Sequence, residues 1–251
     1  MLREKTVFGP ISSRRLGQSL GINLLPEEGK LCNFDCLYCE CGWNRDGRED
    51  TRIPSASQVR SALESKLESL KEQGVRIDSI TFAGDGEPTL NPDFPVIVDD
   101  TLELRDMYYP EAKVSVLSNA TRIADELVFG ALLKVDNPIL KLDAAFEDDI
   151  RYVNRPCGSY SLRSTVEALK RFEGNFVLQT MLFRSADYDP FSCGRIEAWM
   201  DIVRELHPRE VMVYTIDRPT PETGLEKISP EEMRERLEPL FREGYSIQIR
   251  G

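Results

Sequence analysis

Seven short apolar stretches, separated by amphipathic ones, most limit the folds open to this chain. They lie at Leu20–Leu25 (LGINLL) and at residues 77–82, 113–117, 139–143, 176–183, 210–216 and 245–249. Between them the apolar period changes from two to 3.6. From Ser55 onward, Val59, Leu63, Leu67 and Leu70 share one helical face that stops at Gly74. Further helices are expected over residues 94–108, 124–134, 162–172, 195–206 and 230–243, the last opening on Pro230-Glu231-Glu232 and closing at Gly244. Six alternating βα units imply parallel strands joined by right-handed crossovers. Counting alone does not separate a doubly wound sheet from a curved barrel. The positions of the polar residues do: Cys32 to Cys39, Glu87, Ser118-Asn119, Asp143 and Thr215 all fall at or just past strand C-termini, the catalytic face of a barrel. The expectation is an α/β fold, a partial (β/α)6 barrel forming one domain over residues 1–251. Residues 1–19, with the turn signal Gly9-Pro10 followed by SSRRLGQS, are expected as loop.

Composition removes several functions. The chain is 41% hydrophobic and 30% charged, with no apolar run near the roughly 20 residues that span a bilayer, so a soluble, cytoplasmic protein without a signal peptide is expected. A single histidine, His207, sits at an expected helix end before Pro208 and leaves little scope for histidine acid–base chemistry. Gly84 and Gly86 have no third glycine, and no GxxxxGK[ST] string occurs, so common nucleotide loops find no support. A net charge of −11 argues against wrapping a bare phosphate backbone. The most basic stretch near the cysteines, with Arg3, Lys5, Arg14 and Arg15 against Glu4, reads either as ordinary surface charge or as a local patch.

Four of the six cysteines fall within CNFDCLYCEC, residues 32–41. Cys32, Cys36 and Cys39 are spaced C-x3-C-x2-C. Thiolates hold iron–sulfur cubes, usually four of them, so a loop offering three leaves one iron open to substrate or cofactor. A structural zinc site on Cys36, Cys39 and Cys41 is the alternative. It lacks a second ligand pair, because Cys157 and Cys193 stand alone. The loop runs on through Gly42, Trp43 and Gly47 to about Pro54, a length that in compact domains usually carries function.

The cysteine spacing, with Tyr38 just before the last ligand, resembles the cluster motif of the radical S-adenosylmethionine (radical SAM) enzymes. The ordered strings FGPISSRRLGQSLGIN, CNFDCLYCECG, GDGEPT, LSNAT, LKLDAAFEDDIRYVNRP and YTIDRPTP look like that superfamily's wyosine-synthase-like branch and cover most of the chain. The resemblance implies one [4Fe-4S] cluster on Cys32, Cys36 and Cys39, with Cys41 outside the ligand set. It implies S-adenosylmethionine held at its amino group by Glu87 with Gly84 and Gly86. Asn119 and Asp143, with Ser118, would meet the ribose and methionine portions, and the Tyr38 backbone would face adenine. An external one-electron reductant would drive reductive cleavage to a 5′-deoxyadenosyl radical. The physics agrees, since an ammonium wants a carboxylate acceptor and glycines allow close backbone approach. Two departures stand out: no cysteine precedes Cys32 to carry a second cluster, and the branch's adduct-forming lysine has no assignable position. A glycyl-radical activase and a non-catalytic metal-stabilised module are the competing readings. Because six units leave a barrel open at its side, the expected substrate is a macromolecule, either a protein or peptide or an RNA.

Overall fold

The computed structural model of the chain describes residues 6–13, 16–27, 29–47 and 52–251. Arg3, Glu4, Lys5, Arg14 and Arg15, the basic segment, lie outside the described residues, as does the stretch 48–51 of the long loop. Two compact units emerge, one from residues 1–32, 44–118 and 122–138, the other from residues 33–43, 119–121 and 139–251. Among the described residues no helix is long and apolar enough to cross a membrane.

The first unit is built on a sheet in the order β1-β2-β3-β4. Strand β1 (Val7–Ser13) runs antiparallel to β2 (Gly17–Ile22), and β3 (Ser79–Phe82) and β4 (Lys113–Ser118) follow in parallel. The registers Leu20↔Ile80↔Val114 and Ile22↔Phe82↔Val116 align side chains that are all fully buried. On the other face Ser19, Thr81, Ser79 and Ser115 form a hydroxyl chain, at 2.8 Å, 2.9 Å and 3.3 Å between successive oxygens. Buried hydroxyls are costly unless paired, and here they pair with one another. Helix α1 (Ala56–Glu72) starts in a capping box of Ser55 and Gln58 and buries Val59, Leu63, Leu67 and Leu70, as the periodicity requires. Helix α2 (Phe94–Tyr108) buries Phe94, Ile97, Val98, Thr101 and Leu104, and α3 (Glu126–Leu132) is capped by Asp125.

The expected loop before residue 20 is instead largely the β1–β2 hairpin. Its first strand hides from a period-two search because the register shifts between Phe8 and Ile11, around Gly9-Pro10. Proline is tolerated there because this is an edge strand. Phe8 packs its ring on Gly21, where a Cβ would come within 2.1 Å of it.

In the second unit the chain passes through β5 (Asn137–Lys141), α4 (Glu147–Val153), α5 (Leu162–Lys170), β6 (Val177–Met181), β7 (Phe183–Arg184) and α6 (Arg195–Leu206). It continues with β8 (Glu210–Tyr214), β9 (Glu226–Lys227), α7 (Pro230–Arg236), α8 (Glu238–Arg242) and β10 (Ile247–Arg250). Strands β5, β6, β8 and β10 are parallel neighbours in that order, and β7 pairs antiparallel with β9. One sheet face carries Leu178, Thr180, Val211 and Val213, all buried. The register aligns Lys141, Gln179, Met212 and Gln248 across the opposite face. The single helix expected over 230–243 is broken at Leu237 (φ −94°, ψ 5°), because Pro239 has no N–H to donate to a continuing helix. Helix α4 was not expected, its seven residues being too few to display a period.

Candidate functional site

Beyond β3 the first unit carries the segment Ala83 to Glu87, pinned to the residue that precedes Cys32. The Leu31 N–H donates to the Asp85 carbonyl at 2.9 Å, and the Glu87 N–H donates to the Leu31 carbonyl at 3.0 Å, closing a parallel bridge between Leu31 and Gly86. The glycines are there for lack of space. Gly86 has φ +145°, and a Cβ on it would lie 1.8 Å from the Leu31 oxygen, while one on Gly84 would lie 2.2 Å from Asn23 Oδ1. Asn23 Oδ1 itself accepts from the Asp85 and Leu25 N–H groups, each at 3.2 Å. Glu87 is buried, and its Oε1 accepts from Thr89 Oγ1 at 2.6 Å, Thr89 N–H at 3.2 Å and Ser118 Oγ at 2.8 Å. Gly84, Gly86, Glu87 and Ser118 are thus brought together. Cys32 is half-buried, and its carbonyl accepts from Asn44 Nδ2 at 3.0 Å.

The second unit holds residues 33–43 of the cysteine loop. The Asp35 and Leu37 N–H groups donate to the Asn154 and Val153 carbonyls at 2.9 Å and 3.0 Å, and the Cys157 N–H donates to the Asn33 carbonyl at 2.8 Å. Asn119 donates through Nδ2 to Asn33 Oδ1 at 2.6 Å and accepts at Oδ1 from Thr121 Oγ1 at 2.7 Å. Two tight turns follow, Cys39 N–H to the Cys36 carbonyl and Gly42 N–H to the Cys39 carbonyl, each at 3.1 Å. Cys36 is buried and Cys39 half-buried.

Behind Cys36 lies a buried polar cluster. Tyr38 donates its hydroxyl to Asp143 Oδ2, Lys141 Nζ donates to the Tyr38 oxygen at 2.7 Å, and the Met181 N–H donates to Asp143 Oδ1 at 2.9 Å. Asn154 Nδ2 sits 2.6 Å from Asp143 Oδ2 and 3.3 Å from Cys36 Sγ. Lys141 Nζ is 3.8 Å from Asp143 Oδ2 and 3.4 Å from the Tyr214 hydroxyl. Burial, foremost, pushes the Cys36 thiol up to about 11 and the Tyr38 phenol above its ordinary range. For Lys141 burial alone would lower the pKa, but Asp143 and the surrounding groups raise it above the ordinary lysine value. Three hydrogen-bond donors, Tyr38, Asn154 and the Met181 N–H, and the Lys141 ammonium already engage the Asp143 carboxylate. At the rim, Arg218 pairs with Glu40 at 2.7 Å, Arg155 pairs with Glu222 at 3.4 Å, and the Arg155 guanidinium stands 4.9 Å from the centre of the Trp43 ring.

Sequence reasoning missed Lys141, Asn154, Asn33 and Leu31. Lys141 and Asn154 were visible only as neighbours of Asp143 and as the first letter of NRP; nothing local marks Leu31 or Asn33.

The donor set suits an iron–sulfur cluster. None of the six cysteines is in a disulfide. Among the described residues no three His, Cys, Asp or Glu side chains converge as they would round one metal ion; a cube distributes its thiolates over separate irons. A buried thiol with its pKa near 11 ionises once a cation stabilises the thiolate, and Cys36 already receives a donor hydrogen bond.

The model of the Radical SAM superfamily matches residues 29–183. A UPF0026 protein of Methanocaldococcus jannaschii is 32% identical over 220 residues, covering 86% of this chain and 64% of that protein. A Brachyspira hyodysenteriae protein named GTPase Obg is 29% identical over 255 residues, 99% of this chain but 35% of its own length. The chain therefore spans less than two thirds of either relative. A radical SAM methyltransferase from Sphaerobacter thermophilus matches in structure with a TM-score of 0.68 at 16% identity, covering 92% of this chain and 65% of that one. Streptococcus suis SuiB bound to precursor peptide SuiA matches at 0.66 and 18% identity, covering 92% and 48%. At such identities the likeness shows the fold, α/β of the partial-barrel type expected above.

Proposed function

The chain belongs to the radical SAM superfamily, whose enzymes use a [4Fe-4S] cluster and S-adenosylmethionine, and we propose that it is a cleaving member of that family. When bound and reduced by an outside one-electron donor, such a cluster would supply the electron that splits the C5′–S bond of S-adenosylmethionine into methionine and a 5′-deoxyadenosyl radical. The observation that carries this reading is the bridge between Leu31 and Gly86. It sets the glycine-acid segment directly beside the residue that leads into the first cysteine.

Cys32, Cys36 and Cys39 hold the cluster in this reading, with Cys41 outside the set. Glu87, oriented by Thr89 and Ser118, accepts the ammonium of S-adenosylmethionine, and Gly84 and Gly86 let the backbone approach. Asn119 meets the ribose and the Tyr38 backbone meets adenine. Asp143 remains a candidate for the ribose, although its carboxylate already supports Tyr38 and Asn154. The family match runs through both compact units, which supports one functional domain.

Within the superfamily we assign the chain to the wyosine-synthase-like branch on its ordered strings. We assign it a macromolecular substrate, a protein or peptide rather than RNA, because a net charge of −11 repels phosphate. The peptide bound to SuiB is consistent with this. The deciding experiment is anaerobic reconstitution with iron and sulfide, then incubation with dithionite and S-adenosylmethionine. 5′-Deoxyadenosine should form with the native chain and not with Cys36→Ala. An iron-loaded native chain that neither binds nor cleaves S-adenosylmethionine would overturn the reading.

A further inference from the structure

Asn154 lies 118 positions from Cys36 in the chain, yet its carboxamide reaches the cysteine's sulfur at 3.3 Å. It is only 1% exposed. Its backbone helps hold the loop, because the Asn154 carbonyl accepts the Asp35 N–H at 2.9 Å. At the C-terminal end of α4, the Asn154 N–H donates to the Ile150 carbonyl at 2.8 Å. The side chain is fixed in turn. Asp143 Oδ2 accepts from the same Nδ2 at 2.6 Å, and Asp143 is itself held by the Met181 N–H at 2.9 Å and by the Tyr38 hydroxyl. Only a nitrogen can donate to a carboxylate, so Asp143 settles the amide orientation, and the same Nδ2 lies 3.3 Å from both Cys36 Sγ and the Tyr38 oxygen. A shape-filling core residue would need no such double anchoring.

A donor hydrogen bond to a cluster thiolate delocalises negative charge from the sulfur. It favours the more negative, reduced state, and so raises the reduction potential. We propose that Asn154 is a positioning residue for Cys36, and that its hydrogen bond to Sγ sets the potential of the cluster Cys36 helps to hold, an inference that rests on the cluster reading above. Asp143 then acts one step further out, by aiming the carboxamide. Lys141, 2.7 Å from the Tyr38 oxygen, balances the Asp143 charge within the same cluster.

The test is a reductive titration of the reconstituted protein, followed by electron paramagnetic resonance, with iron and sulfide determined on each sample. Asn154→Leu keeps the volume and removes the donor. Its reduction equilibrium constant should fall by about three- to tenfold, at about 59 mV per tenfold for a one-electron couple, and the midpoint should become more negative. Asn154→Ser, too short to reach the sulfur, should shift in the same direction and serves if the leucine variant does not fold. Asp143→Asn, which leaves the carboxamide unaimed, should shift less than Asn154→Leu. Full iron load with an unchanged midpoint in whichever Asn154 variant folds would overturn the proposal. A native chain that assembles no cluster would instead overturn the reading on which it rests.

Discussion

Replacing Gly86 with alanine would drive a methyl group into the Leu31 carbonyl at a φ of +145°. The backbone strain alone costs on the order of 1–3 kcal/mol, so Gly86→Ala should lower the denaturation midpoint and weaken S-adenosylmethionine binding together. Glu87→Gln, which keeps a side-chain oxygen for Thr89 and Ser118, should separate the two effects. Losing one charge-assisted hydrogen bond to the ligand's ammonium costs about 1.5–3 kcal/mol, about tenfold or more in affinity by calorimetry, with cluster content unchanged. Alanine at Cys32, Cys36 or Cys39 should abolish iron and sulfide uptake, whereas Cys41→Ala should retain it. Loss in Cys41→Ala with retention in Cys32→Ala would return the assignment to a zinc-like set. At this scale the sequence marks residues whose chemistry is rare in cores, such as thiols, an acid and paired glycines. It does not mark Asn154 or Lys141, since one asparagine and one lysine look like any others until folding brings Asp143 and Cys36 beside them.

Elements whose apolar period is long and uninterrupted were legible. Helix α1 was legible in Val59, Leu63, Leu67 and Leu70 and in the stop at Gly74, and α6 lies at its expected bounds. Elements failed where a local irregularity breaks the period: the bulge in β1, Pro239 between α7 and α8, and the seven residues of α4. Joints between elements are also invisible in sequence, and Asp136 illustrates one. Its carboxylate accepts from the Val114 N–H at the start of β4 and from Arg105 near the end of α2, both at 2.9 Å, and from Lys113 at 3.2 Å. Burial would raise its pKa, but Val114, Arg105 and Lys113 together lower it from the ordinary 3.8. A carboxylate depressed in the folded state contributes stability that is present above its unfolded pKa and lost as pH falls through the folded one. The native chain should therefore lose stability below about pH 4 more steeply than Asp136→Asn, which should be about 2 kcal/mol less stable at neutral pH by urea titration.

For the molecule as a whole, the strand–helix alternation and the placement of odd residues at strand ends carried the fold class. The substrate left no such trace. Strand register, which the sequence does not display, decides which side chains from distant segments share a face, as it aligns Lys141, Gln179, Met212 and Gln248. Partner choice is readable in salt dependence: a protein substrate should bind with a shallow slope of log affinity against log salt, an RNA with a steep one. The rim ion pairs carry a different consequence. Arg218–Glu40 joins the segment after β8 to the cysteine loop, and Arg155–Glu222 joins it to the turn after α4, whose Arg155 stands over Trp43 of that loop, through side chains that are partly in solvent. Each such pair is worth about 0.2–1 kcal/mol and fades as salt rises. They form an ionic latch, so salt concentration should set how long the loaded protein survives in air. Bleaching of its visible absorbance should accelerate between about 0.1 M and about 1 M salt, where the screening length falls from about 10 Å to about 3 Å. In Arg218→Ala the bleaching should be fast already at the lower concentration and respond less to added salt.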